Sequence, residues 1–186
     1  NKDKNLKIIF SQIFPEMRNI ERLEKLSQIS KNSKLSVEIL LAIILVDGKD
    51  NHEYFSHKYN ISNTLKDNLN LMAGNFIKVL SEKDFFQKNI KKNIYYYGKE
   101  HLKALNILYF SSTKKINKEK FLTNLNQIEK VEEPKFLFDG KYLKNQGMAE
   151  GILIGKTLKL IENEWIKNDF KIKDSRVLEI INSQRN

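Results

Sequence analysis

From Lys88 to Lys120, nine lysines stand against two acids, Glu100 and Glu119, a local charge of +7 in a chain whose total is +10. Ammonium groups at that density attract polyanions such as RNA, DNA or an acidic membrane surface. Lys88, Lys91, Lys92, Lys99 and Lys103 are the candidate phosphate contacts. Tyr95, Tyr96 and Tyr97 lie among them, and rings beside Lys can stack on bases. The competing reading is structural: a helical Tyr run puts one ring in the core and leaves the others half exposed. The Lys excess itself can be a solvated face, or the mark of an A+T-rich genome that inflates Lys, Asn and Ile.

A second candidate is the stretch from Phe136 to Trp165, which holds four of the seven glycines: Gly140, Gly147, Gly151 and Gly155. A short helix over 141–146 would turn sharply through Gly147 to Gly151 and lead into a longer helix. Such a turn can aim backbone N–H groups and a helix N-terminus outward, with Lys156 one turn on, as a phosphate cradle. The alternative is a tight helix–helix corner with Gly151 and Gly155 under a packed neighbour.

Other constellations are weaker. His52 and His57 are five apart and do not share a helix face; with His101 alone, no metal ligand set is suggested. Asp47 and Asp50 flank Gly48 and can hold Mg²⁺ with substrate phosphates, but Asp and Gly at a helix end are ordinary turn residues. No Walker-type loop, dinucleotide fingerprint or nucleophile elbow is present. The absence of cysteine excludes a disulfide, a thiolate metal site and a Cys nucleophile, and fits a cytoplasmic protein. No apolar run reaches the ~20 residues needed to span a bilayer, and the start carries no signal peptide. The chain opens on Asn1 rather than Met, which reads as a fragment, a processed chain or a trimmed one.

The elements that must position these residues read as helices. Leu6 to Phe14 is apolar and periodic until Pro15 stops it. Asn19 is a candidate N-cap for a helix to Ser30 with Ile20, Leu23, Leu26 and Ile29 inward. Leu35 to Val46 is apolar on every side, which predicts a helix buried all round, ended by Asp47-Gly48; a buried strand is the rival at its centre. A short helix spans 51–59, and Ser62 or Asn63 caps the next. Ser81 is the expected cap of another, with Glu82 and Asp84 in its first turn and Lys88, Lys91 and Lys92 later, a polarity that suits the helix dipole. Gly98 breaks it, and helix resumes from Lys99 to Phe110. Asn117 caps a helix to Val131. In the long helix of the Gly-rich stretch, Ile154, Leu158, Ile161 and Trp165 share one face. Asp174 caps a last short helix. Alternating strands and internal repeats are absent. The fold class is therefore all-α: a helical bundle over 1–131 and a small helix-turn-helix-like tail over 132–186, divided near Pro134.

Several stretches, in order along nearly the whole chain, resemble the C-terminal half of bacterial CCA-adding tRNA nucleotidyltransferases and their poly(A) polymerase relatives, in which helical neck, body and tail come after a catalytic head. Ile13-Phe14-Pro15-Glu16 with Glu21-Arg22-Leu23 is similar to the passage from neck to body. Ile61-Ser62-Asn63 before Leu65-Lys66-Asp67-Asn68-Leu69 resembles a helix start in the body, as does Tyr97-Gly98-Lys99-Glu100. The fullest match is the tail: Pro134-Lys135-Phe136, then Gly140, Leu143, Gly147, Gly151, Gly155, Leu158, Trp165 and Asp169-Phe170. The chain departs from the family at Tyr142, where Asp is frequent, and at Ile152, where Pro is frequent.

The resemblance implies an RNA clamp without its catalytic unit. No Asp-x-Asp follows a Gly-Ser-type phosphate loop, and no Glu-Asp-x-x-Arg nucleotide-selecting motif is present. The expected role is to bind tRNA or other structured RNA and position its 3′ end for nucleotide addition by a head in cis or in trans. Catalytic residues, a metal and cofactors are not expected on this chain, and it is expected to be inactive alone; Mg²⁺ with CTP or ATP belongs to the head. RNA contacts would come from Lys88, Lys91, Lys92, Lys99, Lys103, Gly147, Gly151 and Lys156. The rival reading is a non-catalytic helical interaction domain or remnant with no RNA role. A membrane partner is not expected.

Overall fold

Residues 2–17, 19–29 and 35–185 are described by the computed structural model. They fold as α-helices and short 3₁₀ segments, with no strand among the described residues. The chain forms two compact units, Asn1–Glu133 and Pro134–Asn186.

The first unit contains α1 (Lys2–Ile13), 3₁₀ segments Pro15–Met17 and Ile20–Gln28, α2 (Val37–Leu45), α3 (Asn51–Lys58), α4 (Asn63–Ser81), α5 (Ile90–Ser112) and α6 (Lys118–Lys130). Its core is built by α2, α4, α5 and α6, with Ile43, Leu45, Leu69, Ile94, Leu102, Leu105, Leu108 and Ile128 fully buried. Phe110, Ile116 and Phe121 make a smaller cluster where α5 turns into α6. Ser62 accepts from Leu65 N and Asn117 from Lys120 N, so both helices start on side-chain caps.

Four expectations are corrected in this unit. The apolar helix α2 is not buried all round: Val37 is 70% exposed, whereas Ala42 to Val46 are buried. It enters the core end-on, so burial grades along its axis rather than around it. Its end is not closed by a C-terminal glycine either. Val46 is extended, and the Ile43, Ile44 and Leu45 carbonyls accept from Arg22 Nη1, Asn19 Nδ2 and Asn51 Nδ2 at 3.1, 3.0 and 2.9 Å. Arg22 Nη1 also donates to Val46 O at 2.6 Å. Asn19 therefore makes no side-chain cap for the residues after it, which form a 3₁₀ segment; its amide serves the C-terminal end of α2 instead. Ser81, lastly, closes α4 instead of opening a helix, and 82–89 is a run of turns. The expected helix to Ser30 extends past the described residues at that point.

Beneath α3, Glu16 is only 2% exposed and binds Lys58, with Tyr59 OH at 3.5 Å. Burial pushes its carboxyl up, but the Lys58 and Tyr59 contacts, with a backbone bond, win and hold it below the usual carboxylate value. A depressed carboxylate stabilises the fold above its ordinary pKa and loses that contribution as pH falls through its folded value. Wild type is therefore expected to melt above Glu16→Gln at neutral pH, with the gap closing in acid below about pH 4. A gap independent of pH would show that the charge contributes nothing.

The second unit holds α7 (Gly140–Asn145), α8 (Ile152–Lys167) and α9 (Asp174–Ser183) around Leu143, Met148, Ile161, Val177, Ile180 and Ile181. On α8, Ile161 and Trp165 are buried, Ile154 and Leu158 are half-buried, and Lys156, Lys159 and Lys167 are exposed, as the periodicity predicts. Thr157, which that pattern does not mark, is fully buried, and its hydroxyl is satisfied there by donating to Leu153 O at 2.8 Å. Asp174 is the first helical residue of α9, not a side-chain cap; Lys173 precedes it at the cap position. Arg176 ties α9 to α8 through both oxygens of Glu164, at 2.6 and 3.0 Å.

Candidate nucleic-acid interface

The lysine-rich segment runs from the 82–89 turn through α5 into the start of α6. Gly98 (φ 75°, ψ 157°) breaks α5 as the sequence predicts. Its left-handed φ is one that L side chains rarely adopt. Ile94 and Leu102, on either side of the break, both reach the core with no exposure.

Lys88, Lys91 and Lys92 do not occupy the late turns of a helix capped by Ser81. Lys88 precedes α5, and Lys91 and Lys92 sit in its first turn. All three are exposed, and Lys88 Nζ lies 3.8 Å from Asp84 Oδ2. The polarity is thus the reverse of the expected one: cations cluster at the positive end of a helix dipole. The cap is weak as well, since Asn89 is left-handed (φ 56°) and its side chain makes no capping bond. An anion placed here would relieve the crowding of like charges at the positive end of the helix dipole.

Lys99 and Lys103 have partners within the fold. Lys99 Nζ donates to Glu129 O at 2.9 Å. Lys103 Nζ lies 2.7 Å from Glu100 Oε1 and 2.6 Å from Glu129 Oε1, contacts that raise its pKa. Both lysines clamp α5 to the C-terminal turn of α6, where cations suit the dipole. Among the tyrosines no ring is fully buried: Tyr96 is exposed, Tyr95 and Tyr97 are half-buried, and Tyr97 OH accepts from Lys78 at 3.0 Å.

In the second unit, the Gly147 N–H is not aimed at solvent. Gly147 (φ 86°) closes α7 with its own N–H on Lys144 O at 2.8 Å and the Met148 N–H on Leu143 O at 3.1 Å, the paired bonds of a left-handed helix stop. The expectation of free donors fails at these two residues because α7 needs them. Gly151 and Gly155 do not lie under a packed neighbour: a Cβ on either would meet nothing within 4 Å. Gly151 instead supplies a φ of 146° at the start of α8, with exposed Lys156 one turn along.

Two sizeable clefts of the first unit differ in charge. One, of ≈ 430 Å³, is lined by Glu38, Glu100, His101 and Met72 and has no lysine. Burial lowers the His101 pKa, and its Nε2 lies 3.1 Å from Asn75 Nδ2. The other, of ≈ 400 Å³, gathers Lys83, Lys115 and Lys120 over Phe86 and Tyr109. No local spacing announces this second cleft, because its lysines converge only through the fold. His52 is buried with Nδ1 unpartnered, His57 is exposed, and no group of metal ligands occurs among the described residues. Asp47 makes a turn, its Oδ1 accepting from Lys49 N at 3.0 Å. No described helix is long and apolar enough to cross a membrane. The chain matches no family model, no curated protein and no solved structure.

Proposed function

We propose that this chain grips structured RNA, tRNA above all, and presents its 3′ end for nucleotide addition by a catalytic head that these residues do not include. The observation that carries the reading is Lys88, Lys91 and Lys92 standing exposed around the weakly capped start of α5. They belong to a segment, 88–120, whose +7 equals the net charge of the whole first unit. Phosphate contacts of this kind position RNA without reading its sequence, leaving recognition to the shape and 2′-hydroxyls of an A-form surface. Lys99 and Lys103 would have to leave the α5–α6 seam to join in, so the grip is assigned to Lys88, Lys91 and Lys92; Lys156 and the Gly151 turn are a separate candidate contact on the second unit. CTP, ATP and Mg²⁺ belong to the head.

The test is tRNA binding at several salt concentrations, with Lys88, Lys91 and Lys92 replaced together by Gln. Helix propensity is nearly unchanged, so the variant is expected to stay folded. Each lost phosphate contact removes roughly 0.7–0.9 from the log–log salt slope, so the slope is expected to flatten by about two to three units. At 0.1 M salt that corresponds to a loss of affinity on the order of a hundredfold. Wild-type affinity with an unchanged slope, or heparin bound as well as tRNA, would overturn the reading in favour of a helical interaction domain.

A further inference from the structure

We propose that the cleft between the 82–89 turn, α5 and the start of α6 binds a nucleotide, with the phosphate held by Lys83, Lys115 and Lys120 and the base laid against Tyr109. The inference deepens the RNA reading by assigning a pocket, and it rests on that reading only for the source of the nucleotide.

Lys83 and, from a distant stretch, Lys115 and Lys120 line one cleft of ≈ 400 Å³, and Glu82 is the one carboxylate among the lining residues. All three are exposed, and none has a side-chain partner among the described residues. Three cations against one carboxylate raise the local potential and favour an anionic ligand. The volume suits a small ligand rather than a flat surface contact.

The rest of the cleft suits a base. Tyr109 is half-exposed, and Phe86, itself buried, backs it at a ring separation of 6.4 Å. Beside it Gln87 Nε2 donates to Asn124 Oδ1 at 2.8 Å. Asn124 is fixed in turn, its Nδ2 donating to Asn106 Oδ1 at 3.0 Å, and Asn106 Nδ2 donates to Phe121 O at 3.0 Å. Asn106 and Asn124 are buried, so this chain of amides is anchored in the core and holds Gln87 at the cleft. The bond uses one of the Gln87 amide donors and leaves a donor and an acceptor for a base edge. The acidic cleft around Glu38 and Glu100 has no lysine or arginine in its lining to hold a phosphate.

The experiment is calorimetric titration of the protein with inorganic phosphate, ribose 5-phosphate, AMP and the hexanucleotide A6. Stacking predicts that AMP binds about five- to a hundredfold more tightly than ribose 5-phosphate. Replacing Lys83, Lys115 and Lys120 together by Gln is expected to weaken AMP at least about tenfold, as removal of its charge partners requires. Tyr109→Leu is expected to erase the advantage of AMP over ribose 5-phosphate while phosphate binding persists, which also shows that this variant is folded. AMP no tighter than ribose 5-phosphate, or undiminished in the lysine variant, would overturn the proposal. A6 tighter than AMP and equally sensitive to the variants assigns the nucleotide to an RNA strand; equal affinities assign it to a free nucleotide, and either supports the nucleotide chemistry. The Lys88, Lys91 and Lys92 variant is expected to bind AMP normally, so failure of the RNA grip and failure of this pocket are read separately.

Discussion

Trp165→Ala is expected to unfold residues 134–186 while the helices of the first unit stay folded. Trp165 is 7% exposed, with Phe136 at 5.3 Å and Phe170 edge-on at 4.9 Å between ring centres. Truncating a buried Trp costs about 3–5 kcal/mol. A unit of about 50 residues rarely derives more than about 3–5 kcal/mol from its core, so one such loss removes its whole margin. The same ring also justifies local strain. Asp169 and Phe170 both hold a left-handed φ, 53° and 63°, and Phe170 N bonds Trp165 O at 2.8 Å to close α8. Such conformations cost about 1–3 kcal/mol each, and the edge-on Phe170–Trp165 contact, about 0.5–1.5 kcal/mol, contributes part of what offsets them. Hydrogen exchange followed by peptide resolves the outcome: rapid exchange over 140–183 with protection retained over 63–81 and 99–112. Uniform protection in both units would show that the Trp165 face carries little of the tail's stability.

The all-α class and most helix spans are legible in the sequence because their signals are local. Ser62 and Asn117 announce their helices by an oxygen three residues ahead of the N–H they accept, and the α8 stripe keeps to the 3.6-residue period. Whatever distant residues decide escapes a local reading. Ser81 resembles an N-cap, yet α4 runs through it and Phe85 and Phe86 are drawn into the core, which holds 82–89 as turns. Asn19 resembles a cap, but the buried end of α2 has the stronger claim on its amide. The candidate site divides in the same way. The concentration of lysine is visible in the sequence, whereas the diversion of Lys99 and Lys103 to Glu129 depends on α6 returning alongside α5. The convergence of Lys83 with Lys115 and Lys120 depends on the same return.

Asn51→Leu is expected to destabilise the first unit by about 2–6 kcal/mol, the cost of leaving two buried acceptors without a donor at roughly 1–3 kcal/mol each. Asn51 is buried, and its Nδ2 donates to Glu16 O at 2.7 Å and to Leu45 O at 2.9 Å. Glu16 and Leu45 are themselves 2% and 0% exposed, so water has little access to replace the lost donor. Leu is close to Asn in shape and apolar, which separates the hydrogen bonds from the packing. Asn51→Asp makes the separation sharper. It keeps the shape but turns an amide donor into a carboxylate oxygen facing two carbonyls. Burial and those carbonyls raise the Asp pKa, because only the protonated form can donate to them. Measured against wild type, Asn51→Asp is therefore expected to be at least as damaging as Asn51→Leu at neutral pH. It should recover in acid, as protonation restores one of the two bonds, while the Leu deficit stays flat over the same range. Equal and pH-independent losses in both variants would mean that Asn51 acts by packing alone. The buried end of α2 would then depend on Arg22 and Asn19.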